Sequence, residues 1–246
     1  MNSTQAWIEL SAFDKVQLTR EFQLPAGAVI VQLGGYAGGW TTAMWCRYHP
    51  RVMHVFEPVP KFYRELQKNV AACQGVSTYP FGLLDEDIRA AMSDEEDGSS
   101  VFVASSRTVV ARFCDVHRVF KELSLHHVDL VYMNIEGSEF RVLPRLQDQG
   151  WLPQLGQVLI QYHKYHPEAT RARAEITQRL LATHELVWGY DWIWELWRLR
   201  ASCGPTQYLN CHEFIPSYTP PAPAAEKAEA PYTPPAPAAE KAEAPS

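Results

Sequence analysis

The sequence predicts an α/β fold in which helices cover both faces of a doubly wound, mostly parallel seven-stranded sheet. Five short apolar segments between residues 29 and 163 alternate with segments of helical pattern. This alternation is typical of parallel strands that are joined by helical crossovers. Two further apolar segments, 184–188 and 191–197, lie close together and predict an antiparallel pair of strands that completes the sheet.

The first predicted strand, residues 29–33, runs into a glycine-rich turn, and residues 40–48 then predict a helix. The glycines of this turn are Gly34, Gly35, Gly38 and Gly39. Glycine lets the backbone approach a ligand closely, and the free N–H groups of the next helix can face that ligand. An ordinary turn can have the same composition, so this cluster alone is weak evidence for a binding site.

The second predicted strand, residues 52–57, ends in Glu57, and Pro58 terminates it. Glu57 lies 23 positions after Gly34, and an acidic residue at such a distance is typical of nucleoside sites, where it binds the ribose hydroxyls. The glycines follow the order G-G-x-x-G and not the dinucleotide pattern. This spacing therefore suits a nucleoside without a pyrophosphate, such as S-adenosylmethionine, better than NAD.

The third predicted strand, residues 76–81, follows an amphipathic helix at 61–73 and leads into Gly82 and Leu83. In a doubly wound sheet this end lies beside the nucleoside base, which makes Leu83 a candidate contact. Residues 99–103 and 109–113 predict two short paired strands. The acidic run at 93–98 is interpreted as a solvated loop, because it lacks the ligand pattern of a calcium loop.

The fourth predicted strand, residues 128–133, ends in Asn134, Glu136 and Gly137, after which a helix begins. Carboxyl ends of parallel strands meet at one edge of the sheet, so Asn134 and Glu136 are expected to face the same crevice as Glu57. Alternatively, Glu136 only stabilises the start of the next helix. The fifth strand, 157–163, brings His163 to its end, although a lone histidine there is more often structural.

Composition predicts one domain with a tail. The boundaries are an N-terminal edge segment at 1–28, a main domain at 29–200, a connecting segment at 201–216 and a tail at 217–246. A formal net charge of −6 argues against a nucleic-acid surface, and five scattered cysteines argue against a disulfide framework or a zinc site. The absence of a leader or an apolar run that could span a bilayer predicts a cytoplasmic protein, and a place at the periphery of a membrane complex is the alternative.

These motifs together resemble the FkbM-type S-adenosylmethionine-dependent methyltransferases over about residues 29–199. The resemblance implies a Rossmann-like class I methyltransferase fold, S-adenosylmethionine as methyl donor, and O-methylation of a sugar or related hydroxyl on a small-molecule or glycan acceptor. It implies donor-binding roles for Gln32, Gly34, Gly35, Gly38, Glu57 and Leu83. The candidate catalytic residues are Asn134, Glu136 and His163, of which Glu136 and His163 are alternative bases.

Two features support a different function, an accessory or scaffold subunit that has kept the fold and lost the chemistry. Gln32 stands where the family usually has aspartate, so the acceptor atom is kept and the negative charge is lost. A proline- and alanine-rich segment, 218–231, is repeated without change at 232–245. Proline-rich chain is stiff and loses little entropy on docking, so residues 217–246 could bind a protein partner. A passive solubilising tail is the common alternative.

Overall fold

The computed structural model describes residues 3–93 and 108–203. The helices are α1 (Ser3–Glu9), α2 (Ala12–Arg20), α3 (Gly39–Tyr48), α4 (Pro60–Asn69), α5 (Val116–Glu122), α6 (Glu139–Asp148) and α7 (Ala169–Leu181). The strands are β1 (Val29–Leu33), β2 (Val52–Phe56), β3 (Val76–Tyr79), β4 (Gly82–Leu84), β5 (Ile88–Ser93), β6 (Thr108–Asp115), β7 (Val128–Met133), β8 (Leu155–Gln161), β9 (His184–Tyr190) and β10 (Trp194–Leu199).

Seven strands form the central sheet in the order β3-β2-β1-β7-β8-β10-β9. The first five are parallel, whereas β10 runs antiparallel to both β8 and β9. The predicted fold class and the predicted closing pair are therefore confirmed. The chain reverses direction across the sheet between β1 and β7, and such a switch point is where doubly wound sheets bind ligands.

The ends of three neighbouring strands lie in register at this switch point. Leu33, the last residue of β1, pairs with Phe56 of β2 on one side and with Met133 of β7 on the other. All three side chains are buried in one apolar cluster. The residues that follow them, Gly34, Glu57 and Asn134, are therefore brought to the same edge of the sheet.

A second sheet of three strands, in the order β4-β6-β5, lies outside the sequence prediction. The predicted third strand is divided: β3 ends at Tyr79, and the chain then enters β4, whose Leu83 pairs with Cys114 of β6. The predicted strand at 109–113 is part of β6, but its partners are β4 and β5. The strand predicted at 99–103 and most of the acidic run at 93–98 lie outside the described residues.

Residues 3–20 form two helices at the start of the chain. α1 packs against the edge strand β9, where the rings of Trp7 and Tyr190 lie 5.1 Å apart. The end of α2 is attached to α3, because Trp40 Nε1 donates a hydrogen bond to the carbonyl of Thr19 at 2.8 Å. These contacts bring Arg20 close to the switch point.

Residues 201–203 continue from β10 in a turn. Residues 204–216 and the tail at 217–246, which contains both repeats, lie outside the described residues. Of the helices that the structure does describe, none combines the length and the apolar character needed to cross a bilayer.

Candidate functional site

A cavity of about 600 Å³ opens at the carboxyl ends of β1, β2, β7 and β8. Eight of the nine site residues that the sequence suggested line it: Gln32, Gly34, Gly35, Glu57, Leu83, Asn134, Glu136 and His163. Gly38 does not. It precedes α3 with φ +85°, and an added Cβ would lie 3.0 Å from Leu66 Cδ1 of α4, so Gly38 lies where two helices pack closely. Its predicted donor-binding role stays a prediction.

The glycines at the end of β1 are required by the crowding around them. A Cβ at Gly34 would overlap the carbonyl oxygen of Asn134, and the φ of Gly34 is +85°. A Cβ at Gly35 would lie 2.7 Å from Val55 and 2.8 Å from Leu66. The turn can therefore lie flat across the ends of β2 and β7 only because both positions lack a side chain.

Gln32 is buried below this turn and uses both polar atoms of its amide within the protein. Its Nε2 donates to the carbonyl of Gly34 at 2.9 Å, and its Oε1 accepts from Thr41 Oγ1 of α3 at 2.7 Å. The glutamine thus connects the turn to the following helix. A carboxylate at this position could accept the bond from Thr41 but could not donate to Gly34.

Glu57 is only 5% exposed and holds the turn from the side of β2. Its Oε2 accepts the backbone N–H of Tyr36 at 2.7 Å, and its Oε1 accepts the N–H of Val59 at 2.8 Å. Burial raises the pKa of Glu57 to about 7, although these backbone hydrogen bonds and one from Gly35 favour the ionised form. The carboxylate therefore changes its charge close to neutral pH.

Asn134 reaches the cavity from the end of β7. Its backbone N–H donates to the carbonyl of Leu33 at 3.1 Å and so continues the pairing of β7 with β1. Its side-chain Oδ1 is buried and has no hydrogen-bond partner among the residues that the structure describes. Because an unpaired buried oxygen is costly, this atom is a strong candidate for contact with a ligand that donates a hydrogen bond.

Glu136 and His163 meet at the mouth of the cavity, with His163 Nε2 at 3.4 Å from Glu136 Oε2. On the other side of the ring, His163 Nδ1 lies 3.2 Å from Oε1 of Glu139, which is fully buried. The backbone N–H groups of His163 and Gly137 also donate to Glu139, at 2.7 and 2.9 Å. Glu139 therefore fixes the position of the imidazole relative to Glu136.

The charges in this cluster stabilise one another. Burial alone would lower the pKa of His163, but hydrogen bonds to Glu136 and Glu139 and their charges raise it to about 9. Burial acts to raise the pKa of Glu136, yet hydrogen bonds from His163 and Tyr165 and the charge of His163 hold it below its ordinary value. Near neutral pH the pair is an imidazolium and a carboxylate.

Several residues of the cavity were not found from the sequence. Tyr165 donates from its hydroxyl to Glu136 Oε2 at 2.7 Å and stacks on His163, but it lies in a loop with no strand pattern. Arg20 and Trp40 line the cavity because α2 packs on α3, which no local pattern shows. The smaller sheet adds Met92 and Phe113 to an apolar wall beside Leu83. The proximity of Tyr165 to the end of β8 is the one available signal.

No group of three metal-ligating side chains suited to a metal ion occurs within residues 3–93 and 108–203. The polar groups of the cavity are instead arranged on two sides. Glu57 and the glycine turn form one side, and Glu136, His163 and Tyr165 form the other. Such an arrangement can bind a nucleoside at one end and remove a proton from a second molecule at the other.

The model of one protein family, the methyltransferase FkbM domain, matches residues 32–190. A protein named Methyltransferase 1 from Beauveria bassiana is 28% identical over 153 residues, which make up 52% of this chain and 61% of that protein. The chain therefore matches about three fifths of the length of this curated relative.

Two solved structures resemble the chain at low sequence identity. Fibrillarin from Aeropyrum pernix, in complex with natively bound S-adenosyl-L-methionine, aligns with a TM-score of 0.45 and 13% identity over 76% of this chain and 74% of that one. A protein from Streptococcus mutans, provisionally assigned as a methyltransferase and solved in complex with SAH, aligns with a TM-score of 0.48 and 8% identity over 78% of this chain and 99% of that one. The strand order of the central sheet shows the fold independently of these likenesses.

Proposed function

Because the chain belongs to the FkbM methyltransferase family, we propose that it transfers a methyl group from S-adenosylmethionine to a hydroxyl group of a sugar or a related small acceptor. The observation that carries this proposal is the cavity at the switch point, which joins a buried carboxylate at the end of β2 to a second carboxylate at the end of β7.

On the donor side, Glu57 is the residue that binds the ribose hydroxyls. Its two oxygens accept backbone N–H groups of the turn and of Val59, and a carboxylate has acceptor capacity beyond these bonds. The Oδ1 of Asn134, buried without a partner among the described residues, fits a ligand that carries a hydrogen-bond donor. Leu83 and the neighbouring apolar side chains provide the surface for the base.

On the acceptor side, Glu136 is the base that takes the proton from the acceptor hydroxyl. When bound, S-adenosylmethionine supplies an electrophilic methyl carbon, so catalysis needs little beyond positioning and proton removal. His163 is the less suitable base, because with a pKa of about 9 it already carries a proton near neutral pH. Its role is to keep Glu136 ionised, together with the hydroxyl of Tyr165.

Calorimetric titration of the intact protein with S-adenosylhomocysteine tests the donor site directly. We expect binding at one site per chain, and the absence of any binding would overturn the proposal. Methyl transfer is then measured with labelled donor against a panel of hydroxyl compounds. Glu136→Gln should abolish most of the transfer while S-adenosylhomocysteine binds about as tightly as before.

The repeated segment alone supports the second candidate function, an accessory or scaffold subunit. Gln32 is weaker evidence for a lost methyl-transfer activity than the sequence alone indicated. Both polar atoms of its amide form hydrogen bonds that support the glycine turn. The expectation that the acceptor is not a nucleic acid stays a prediction based on the net charge of −6. An RNA oligonucleotide therefore belongs in the acceptor panel as a negative control.

A further inference from the structure

Arg20 is a positively charged group in the cavity that the proposed function does not use. It is the last residue of α2 and lies outside the range 32–190 that matches the family model. Its backbone is held in place, since the hydroxyl of Tyr48 donates to the carbonyl of Arg20 at 3.2 Å and the neighbouring carbonyl of Thr19 accepts from Trp40. The side chain therefore starts from a fixed point beside the cavity.

The guanidinium of Arg20 forms no ion pair with any carboxylate of the described residues. The other positively charged group of the cavity, His163, is already paired with Glu136 and Glu139. An unpaired guanidinium on a cavity wall favours a ligand with an anionic group, and its planar shape suits a carboxylate.

Asn134 offers the complementary group nearby. Its Oδ1 is a buried acceptor without a partner in the described part of the chain. Tyr132 connects the two residues: burial raises the pKa of its hydroxyl, while a hydrogen bond from the Asn134 side chain and the charge of Arg20 both act to lower it. The side chain of Gln32 is not available to bind a ligand in this way, because both of its polar atoms form hydrogen bonds within the protein.

The α-amino-acid end of the donor carries the two groups that these residues require, a carboxylate and an ammonium. We infer that Arg20 binds the α-carboxylate of the donor and that Asn134 Oδ1 accepts a hydrogen bond from its α-ammonium. This inference rests on the proposed function. It assigns recognition of the donor in part to a helix that precedes the region matched by the family model.

Two ligands that share the nucleoside test the inference by calorimetry on the full chain. S-adenosylhomocysteine carries the amino-acid end, whereas 5′-methylthioadenosine lacks it. We expect Arg20→Met to weaken S-adenosylhomocysteine by about tenfold or more, the usual effect of losing a charge-assisted hydrogen bond. Binding of 5′-methylthioadenosine should change by less than about twofold, which also shows that the variant is folded.

Arg47→Met is the matched control, because Arg47 pairs with Glu21, the residue next to Arg20, yet does not line the cavity. It should leave both affinities unchanged. Decarboxylated S-adenosylmethionine, which keeps the ammonium, separates the two contacts further. Arg20→Met should not weaken this ligand, whereas Asn134→Ala should weaken both it and S-adenosylhomocysteine and spare 5′-methylthioadenosine.

The outcomes distinguish this inference from the proposed function. If the parent protein binds both nucleosides and Arg20→Met binds S-adenosylhomocysteine as tightly as the parent does, the inference is overturned and the proposed function stands. If the parent protein binds neither nucleoside, the donor site itself is absent and both proposals are overturned.

Discussion

Glu57 has two opposing requirements, since the folded protein without ligand favours its neutral form and a bound ribose favours its ionised form. Hydroxyl groups that donate to a carboxylate stabilise the negative charge. Because its pKa is about 7, Glu57 carries a proton at a pH well below 7. It must lose this proton before it can bind the ribose as a carboxylate. We therefore expect the affinity for S-adenosylhomocysteine to rise between about pH 5.5 and 7.5. In Glu57→Gln the affinity should be lower and nearly independent of pH. Calorimetry across this pH range measures the affinity of both proteins. An affinity of the parent protein that does not change with pH would contradict the contact assigned to Glu57.

The stability of the ligand-free protein should show the opposite trend with pH. The pKa of Glu57 is raised from 4.5 in the unfolded chain to about 7 in the folded one, so the native state binds this proton more tightly. Its contribution to the free energy of unfolding is fully present below pH 4.5 and is lost as the pH rises through 7, by roughly 3 kcal/mol. Urea unfolding at several pH values should show this slope in the parent and in the surface control Glu175→Gln, but not in Glu57→Gln.

Two buried histidines should titrate on opposite sides of the ordinary value. His163 has a pKa raised to about 9 by its two carboxylates. His184 is fully buried against the carbonyl of Leu155, and burial lowers its pKa to about 4. NMR titration of the imidazole signals, assigned with His163→Gln and His184→Asn, measures both. The stability due to His163 should be lost as the pH rises through 9, whereas that due to His184 should be lost as the pH falls from 6.5 towards 4. A value near 6.5 for His163 would show that the ion pairs do not form.

At the scale of elements, the glycine turn determines whether β1 can end beside β7. Gly34→Ala would push a Cβ into the carbonyl of Asn134 at a positive φ, and we expect a loss of roughly 3 kcal/mol in the free energy of unfolding. Gly39→Ala is the matched control, because a Cβ there meets nothing within 4 Å and the residue begins α3. Urea unfolding compares the two variants. Equal stabilities would mean that the turn can move away from β7.

Three strands that form the site have limits that local sequence determines, whereas β8 ends at Gln161 and not at the predicted His163. The strands β1, β2 and β7 begin and end within one residue of the predicted limits, because each is a buried apolar run stopped by glycine, proline or polar residues. Glu57, Asn134 and Glu136 could be brought to one cavity by this rule alone. The packing of Gly38 against Leu66 could not be predicted, because it depends on where α4 lies.

The elements that the sequence did not reveal depend on long-range pairing or are very short. β5 has no alternating pattern and exists through its antiparallel pairing with β6. α5 has only seven residues, too few to show an apolar stripe, and is stabilised at its start by Asp115, which accepts from the N–H of Arg118 at 2.7 Å. Arg20, like β5, depends on contacts between distant parts of the chain. Its place in the cavity follows from the packing of α2 on α3.

At the scale of the whole molecule, the residues that line the cavity span Arg20 to Tyr165, and the family match ends at residue 190. The tail at 217–246, which contains both repeats, therefore follows the entire candidate site in the sequence. If donor recognition depends only on that site, its affinity should not require the repeats. Methyl transfer and partner binding can then be separated by truncation.

We expect removal of residues 217–246 to leave the affinity for S-adenosylhomocysteine within about twofold and the melting temperature unchanged.

If the repeats bind a protein partner, two Tyr-Thr-Pro-Pro units on one chain increase the retention of that partner through avidity. Removing 232–246 alone should then lower partner recovery in a pull-down from the native source, and removing both units should abolish it. Tyr218→Ser with Tyr232→Ser keeps the length and the proline content, so it tests whether the aromatic rings are the anchors. Equal recovery of the same partners by parent and truncated chains would show that the repeats are not a tether. A loss of nucleoside affinity on truncation would show that residues 217–246 contribute to the site.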